Sequence, residues 1–332
     1  MKSVLEGEKN RVAYHSNPNK NSVHRSSLLV PKFDWCSTNI TFLNHFLLKR
    51  NYKEVSLKIT AIDASGNLFD TSLIFIDEPK VYSFDLDDLF DSSNQINEYL
   101  VEFFSAKNLF IPFPAVMVNH FGNDFINVVH SYNRVLNDIF ENDFINKNHV
   151  SEASVDIQLD DKHDTFFNFA SGPFNFEGEI AVEVLTKSGC VCNHFPIKSE
   201  RLTNKNFFLS EIFPKVQSTS LTGATIKILQ PKQNLFYGRL FTGVINKRTK
   251  SFSANHSYYD SSDVEEYFEN SVSTRVYPLF KGCVNRINMY PIMSPSVLSI
   301  QIKFKNGDES LSSKAIELHS PSEQSISIDV EE

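Results

Sequence analysis

NLFIPFPAVMVNHFGNDFINVVHSYNRVLND, residues Asn108–Asp138, decides the fold, because it returns as NLFYGRLFTGVINKRTKSFSANHSYYDSS at Asn234–Ser262. Both copies open on Asn-Leu-Phe and reach His-Ser-Tyr 22 residues later. Without a gap, seven of the 26 positions from 108 to 133 are identical, where chance would give roughly one or two; self-similarity at a fixed interval is the mark of a duplicated unit.

Working outward, the segments before each copy also correspond. KEVSLKITAIDASG (Lys53–Gly66) and GEIAVEVLTKSG (Gly178–Gly189) both alternate apolar and polar residues up to a glycine turn, the pattern of a strand with one wet face. In the second, Ile180, Val182 and Val184 point inward and Ala181 and Glu183 outward. Phe84–Phe90 and Phe207–Phe213 match in order and spacing, and Phe166-Phe167-Asn168-Phe169 is aligned with Phe42-Leu43-Asn44-His45. Ile40 to Phe46 reads as a strand that Leu47 and Leu48 extend. About seven short strands at turn spacings fit a β-sandwich of roughly 110 residues.

A third set begins near Thr274. Pro278, Phe280 and Cys283 repeat the spacing of Pro31, Phe33 and Cys36, and Ile300–Gly307 is the alternating strand and turn again. Ile328–Glu332 aligns with Phe84–Asp88, so the later half of this unit is missing. The expected architecture is therefore all-β: tandem antiparallel β-sandwich domains joined by short helical linkers. Its parts are a disordered N-terminal arm at 1–26, repeat 1 at 27–138, a linker at 139–153, repeat 2 at 154–262, a short helical linker at 263–273 and an incomplete repeat 3 at 274–332. An incomplete sandwich leaves open strand edges, so either the chain is a fragment of a longer reading frame or a strand from elsewhere completes it, by strand addition or in an oligomer. Neighbouring units are expected to touch as an array rather than to share one core.

Composition narrows the function classes. With 32 Lys+Arg against 40 Asp+Glu the net charge is −8, which disfavours a nucleic-acid backbone as partner. The basic run Lys247-Arg248-Thr249-Lys250 falls where a hairpin turn is expected. No apolar run is long enough for a membrane span, and no signal peptide is visible, so the default compartment is the cytoplasm. Four cysteines in 332 residues do not make a disulfide framework. Cys190 and Cys192 share one strand face and read as small buried hydrophobes in preference to metal ligands.

The residues with chemistry are His130 with Tyr132 and His256 with Tyr258. Each pair points to one strand face and is suited to acid–base work or metal binding. Repetition at one place in both copies favours a structural device, in the manner of a tyrosine corner. His120 and His130 flank one hairpin, but Asn246 replaces His120 in the second copy, so no shared metal site is expected. The Asp160-Asp161-Lys162-His163-Asp164 run reads as a solvated acidic turn. No GxSxG, GxGxxG or phosphate loop is present, and no cofactor is implied. The function expected is a non-catalytic binding module for a glycan or a protein partner, with Phe121, Tyr237 and Tyr259 as exposed contact residues at loop tips. The alternative is an enzyme on a small polar or sugar substrate, using a His–Tyr pair in a cleft between units.

Overall fold

The computed structural model describes residues 25–90, 95–105, 115–130, 133–136, 152–186, 189–215, 225–256, 274, 276–280, 285–289, 297–306, 309–319 and 326–330. The Asn-Leu-Phe of the first copy, Tyr132, Tyr258, Tyr259 and both linker helices lie outside these residues, apart from the end of the first linker, where a strand begins at Glu152.

The chain is nearly all β. Its strands are β1 (Arg25–Pro31), β2 (Ser37–Leu43), β3 (Val55–Ile62), β4 (Leu68–Ile76), β5 (Val81–Asp85), β6 (Glu98–Phe104), β7 (Met117–Phe121), β8 (Ile126–His130) and β9 (Asn133–Val135). They continue with β10 (Glu152–Asp156), β11 (His163–Ala170), β12 (Phe176–Thr186), β13 (Gly189–Ser199), β14 (Asn204–Phe208), β15 (Thr225–Leu229), β16 (Phe236–Tyr237), β17 (Phe241–Asn246) and β18 (Phe252–His256). The last are β19 (Asn285–Met289), β20 (Val297–Asn306), β21 (Glu309–His319) and β22 (Ile326–Val330). β1 starts within the stretch that the sequence assigns to the arm.

Sheet 1 has the order β16-β9-β1-β6-β3-β4 and sheet 2 the order β5-β2-β7-β8. Sheet 3 runs β10-β15-β12-β13 and sheet 4 β14-β11-β17-β18. Element for element, sheet 3 repeats the β1-β6-β3-β4 part of sheet 1, and sheet 4 repeats sheet 2. β19 pairs with β22 and β20 with β21, as β2 does with β5 and β3 with β4.

Sheets 1 and 2 enclose one core, built from Leu28, Val30, Leu57, Ile59, Val101 and Phe103 on one side and Ile40, Phe42, Tyr82 and Val118 on the other. Sheets 3 and 4 enclose a second, with Ile180, Val182, Val184, Ile226 and Ile228 against Phe167 and Phe169. The inward alternation at 180–184 is as the sequence indicates. The first glycine turn keeps its place; Gly66 sits at φ +76°, a conformation that glycine adopts without the penalty a Cβ would bring.

Three expectations change. The strand from Ile40 stops at Leu43, because Asn44 caps a helical turn at His45–Arg50: its side chain accepts from the Leu47 amide, and Asn51 closes the turn in the left-handed conformation. The Phe42–Phe166 alignment is out of phase, since Phe42 faces its own core while Phe166 faces the other unit. An odd shift in a strand exchanges its two faces. Finally, the units are not separate. Phe166, Phe241, Ile245 and Phe252 belong to the core of sheets 1 and 2. On the far side of sheet 1, Leu29, Ile62, Leu100 and Val135 pack with Ala170, Leu202 and Phe236, and β16 adds itself to β9 at that sheet's edge. β11 is consequently buried on both faces, which is why its sequence reads as a continuous apolar run.

Candidate functional site

His130 and His256, the two histidines that the sequence repeat aligns, lie against each other. β8 and β18 are edge strands of sheets 2 and 4 and run side by side in the same direction. The Phe125 and Phe252 rings are 4.9 Å apart, the Ala254 amide donates to Asn127 Oδ1 at 2.8 Å, and the two Nε2 atoms meet at 2.9 Å. Arg239 is buried beside them, with Nη1 3.3 Å from His256 Nδ1 and Nη2 donating to the Tyr237 hydroxyl at 3.4 Å. Its backbone amide donates to Asn133 Oδ1. Nη1 is also 3.3 Å from His256 Nε2, so the guanidinium lies against the imidazole ring. Burial, and then the Arg239 charge, lower the pKa of His130. A cation between the imidazoles would meet the same charge. The arrangement clamps the two units together.

The Tyr partners of the notional His–Tyr pairs lie outside the described residues. Tyr237, expected at an exposed loop tip, is buried under Arg239, whose guanidinium carbon stands 5.4 Å from the ring centre. His120 and His130 do not meet across their hairpin: His120 pairs with Asn127 and His130 with Met117. His120 points inward among Phe33, Phe241 and Phe252. Neither of its ring nitrogens has a hydrogen bond of normal geometry, and burial pushes its pKa down to about 4. The acidic run is structural: Asp160 caps its own turn through Lys162 and His163, and Asp164 is buried against Ser210. The basic run 247–250 forms the exposed turn between β17 and β18. Cys190 and Cys192 are exposed, contrary to the buried reading.

Phe121 is exposed, and it marks a larger feature that the sequence pattern did not single out. The outer face of sheet 2 carries Leu43, Val81, Met117, Phe121, Ile126 and Val128, all exposed, with Ile126 at 67%. Between them runs a ladder of amides and hydroxyls: Asn119 Nδ2 donates to Asn39 Oδ1 and Thr41 Oγ1, and Asn39 and Ser83 hydrogen-bond across the strands. Sheet 4 has the same design. Asn168 Nδ2 donates to Asn204 and Asn206, flanked by Phe166, Phe208, Phe241 and Phe252. There the face is covered by the end of the first unit's core, where Phe33, His120 and Phe125 meet Phe241 and Phe252.

Among the described residues no helix is long and apolar enough to cross a membrane. No family model matches the chain, and no curated protein matches it. Solved structures of Bacteroides uniformis beta-glucuronidase 2 resemble it faintly. A calcium-binding mutant aligns at 11% identity and TM-score 0.16 over 71% of this chain and 26% of that one. A form covalently bound to cyclophellitol-6-carboxylate aziridine aligns at 10% identity over the same shares. This chain thus spans about a quarter of the enzyme's length, and a TM-score of 0.16 is too low to carry fold or function.

Proposed function

We propose that the chain is a non-catalytic binding protein, built from tandem copies of one β-sandwich unit, and that it docks a partner protein on the outer face of sheet 2. The matching strand orders support the duplication. The observation that carries the function is the fate of equivalent surfaces. Phe252, Ala254 and His256 occupy in sheet 4 the places that Ile126, Val128 and His130 occupy in sheet 2. The first set is covered by protein; in the second, Ile126 and Val128 are open. Stacking of this head-to-tail kind leaves one face unpaired at the end of the row. Exposed apolar groups in a contiguous patch mark interaction surfaces. Aliphatic and Met side chains dominate this one, whereas sugars stack on planar aromatic rings, so a protein fits better than a glycan. In residues 274–332, read as an incomplete third copy, β19 has only β22 beside it among the described residues, which leaves the edge that β7 takes on β2.

The test compares the whole chain with an Ile126→Lys/Val128→Lys variant, both solvent-facing changes that leave the core intact. In capture from a native extract, with the bound proteins identified by mass spectrometry and re-purified, the variant is expected to bind the specific partner at least ~10-fold more weakly, as loss of a central apolar contact does. Sedimentation checks whether that partner is a second copy. Equal binding by both proteins, or a glycan-array signal that the variant keeps, would overturn the reading.

A further inference from the structure

We propose that the edge strand β4 is a seam between two molecules of this chain, which pair β4 to β4, antiparallel about a two-fold axis, and join their first sheets into one. β4 has β3 on one side and, among the described residues, no strand on the other. Its nine residues, Leu68-Phe69-Asp70-Thr71-Ser72-Leu73-Ile74-Phe75-Ile76, include no lysine, arginine or proline, the residues that blunt an edge against pairing. The matching edge of sheet 3, β13, carries Pro196 and Lys198. At the other side of sheet 1, β16 covers β9, and β8 of sheet 2 lies along β18. The chain thus shields its other long edges and leaves this one bare.

The open strand is also apolar. Phe69, Leu73 and Phe75 are exposed, Leu73 at 65% and Phe75 at 55%. They share one face, which is the face of Lys58, opposite Leu73, and not that of Leu57 and Ile59 in the core. Together they leave roughly 300 Å2 of apolar surface on each molecule. Two such stripes and two backbone edges make an interface of the small, reversible class, so the dimer should dissociate on dilution.

The register follows from the backbone. The Thr71 amide donates to the Asp70 carboxylate at 2.7 Å, and the Thr60 and Thr71 hydroxyls stand 3.3 Å apart. Thr60 and Thr71 are therefore a pair of the kind that exchanges no backbone hydrogen bonds, whose side chains approach closely. Residues 71, 73 and 75 accordingly turn their N–H and C=O groups to the open edge. A two-fold axis through Ser72 sets Thr71 opposite Leu73 of the other molecule and Phe69 opposite its Phe75, so that ring meets ring and the whole strand is paired. Asp70 then faces Ile74. An axis through Asp70 would oppose two carboxylates, and one through Leu73 would lay Leu68 and Phe69 against Glu78 and Asp77.

Sedimentation of the full chain over a dilution series tests the seam. A monomer–dimer equilibrium is expected. Leu73→Lys, a solvent-facing change, should weaken the dimer at least ~10-fold, whereas Ile126→Lys/Val128→Lys, on the outer face of sheet 2, should leave it in place. Circular dichroism confirms that each variant keeps its strands. The register is read by Ser72→Cys in a Cys190→Ser/Cys192→Ser/Cys283→Ser background. The axis brings the two Ser72 Cα atoms to about 4.5 Å, within disulfide reach, so oxidised glutathione should yield a covalent dimer. Asp70→Cys in the same background, more than ~10 Å from its counterpart at this register, should yield none. A chain that is monomeric at every concentration, a dimer that Leu73→Lys leaves undiminished or that Ile126→Lys/Val128→Lys abolishes, or a Ser72→Cys chain that does not cross-link would overturn the proposal.

Discussion

Glu98 offers the sharpest test of the packing between units. It opens β6, between Pro31 on β1 and Ile62 on β3, and is fully buried. Neither carboxylate oxygen has a hydrogen bond of normal geometry. Burial pushes its pKa up to about 8, with Asn204 of the second unit acting weakly the other way. The folded state therefore holds a proton that the unfolded chain releases above its ordinary value of 4.5. Stability is full below that value and falls as pH rises towards 8. Below pH 6.5 the trend is masked, because His120, with its pKa lowered to about 4, makes stability rise with pH over the same range. Cys36, pushed up to about 12, matters only in more alkaline solution. Between about pH 6.5 and 8 the Glu98 contribution is about 1.4 kcal/mol per pH unit, levelling off near 8, or ~1.6 kcal/mol in total. His45, His120 and His130, whose pKa values are lowered, act in the opposite sense near pH 6.5, so the contribution is read as the difference between the wild type and Glu98→Gln, which keeps the shape and removes the titration. With a denaturant slope of about 3 kcal/mol/M, the urea midpoint of Glu98→Gln should gain ~0.5 M on that of the wild type over this interval. A difference between the two proteins that stays constant from pH 6.5 to 8 would refute the account.

Other consequences follow from the shared core. Phe241→Ala removes a ring that touches Phe33 and His120 of the first unit and Phe166 and Phe252 of the second. It should cost about 3–5 kcal/mol and shift the unfolding transition reported by Trp35, the single tryptophan, stacked on Phe33; an unmoved Trp35 transition would mean that the units unfold separately. At Gly66 a Cβ would stand 2.1 Å from the Arg201 carbonyl oxygen, and the residue sits at positive φ. Gly66→Ala should thus cost at least ~1–2 kcal/mol, measured by thermal melting, and a neutral result would place that turn away from the second unit. Arg239→Gln should raise the His130 titration midpoint seen by NMR while leaving it below its ordinary value, because burial acts first and the Arg239 charge second; a midpoint that does not move would remove the arginine from the clamp.

What the sequence makes legible is what depends on local pattern. Alternation along Val55–Ile59 and Ile180–Val184 places the strands and their inner faces, since period two has one physical cause. Gly66 marks its turn because few other residues accept that backbone. His45–Arg50 is missed because its Phe, Leu and Leu suit a strand as well as a helix; the deciding residues are the caps Asn44 and Asn51, whose signal is a single side chain each. The shared core is missed for another reason. Phe166, Phe241 and Phe252 lie on faces that a solitary sandwich would expose, and an abundance of Phe shows how much surface is buried but not against what.

That excess of ring surface explains why the faces of sheets 2 and 4 differ in exposure although the two sheets share a strand order. β8 and β18 are both edge strands, and an unprotected edge invites pairing with other chains. Laying one edge along the other shields both, and brings His130 to His256 as a by-product of like meeting like. The faces beside those edges then part company. In sheet 4 the ladder of Asn168, Asn204 and Asn206 is flanked by Phe side chains and sealed by the first unit. In sheet 2 the corresponding flanks are Met117, Ile126 and Val128, smaller and open to solvent. The sealed ladder leaves Asn168 Oδ1 without a hydrogen bond of normal geometry, while solvent-facing groups such as Ser83 in sheet 2 can exchange water for a ligand's polar groups at little cost. The two faces thus differ in the size of their flanking side chains and in what lies against them.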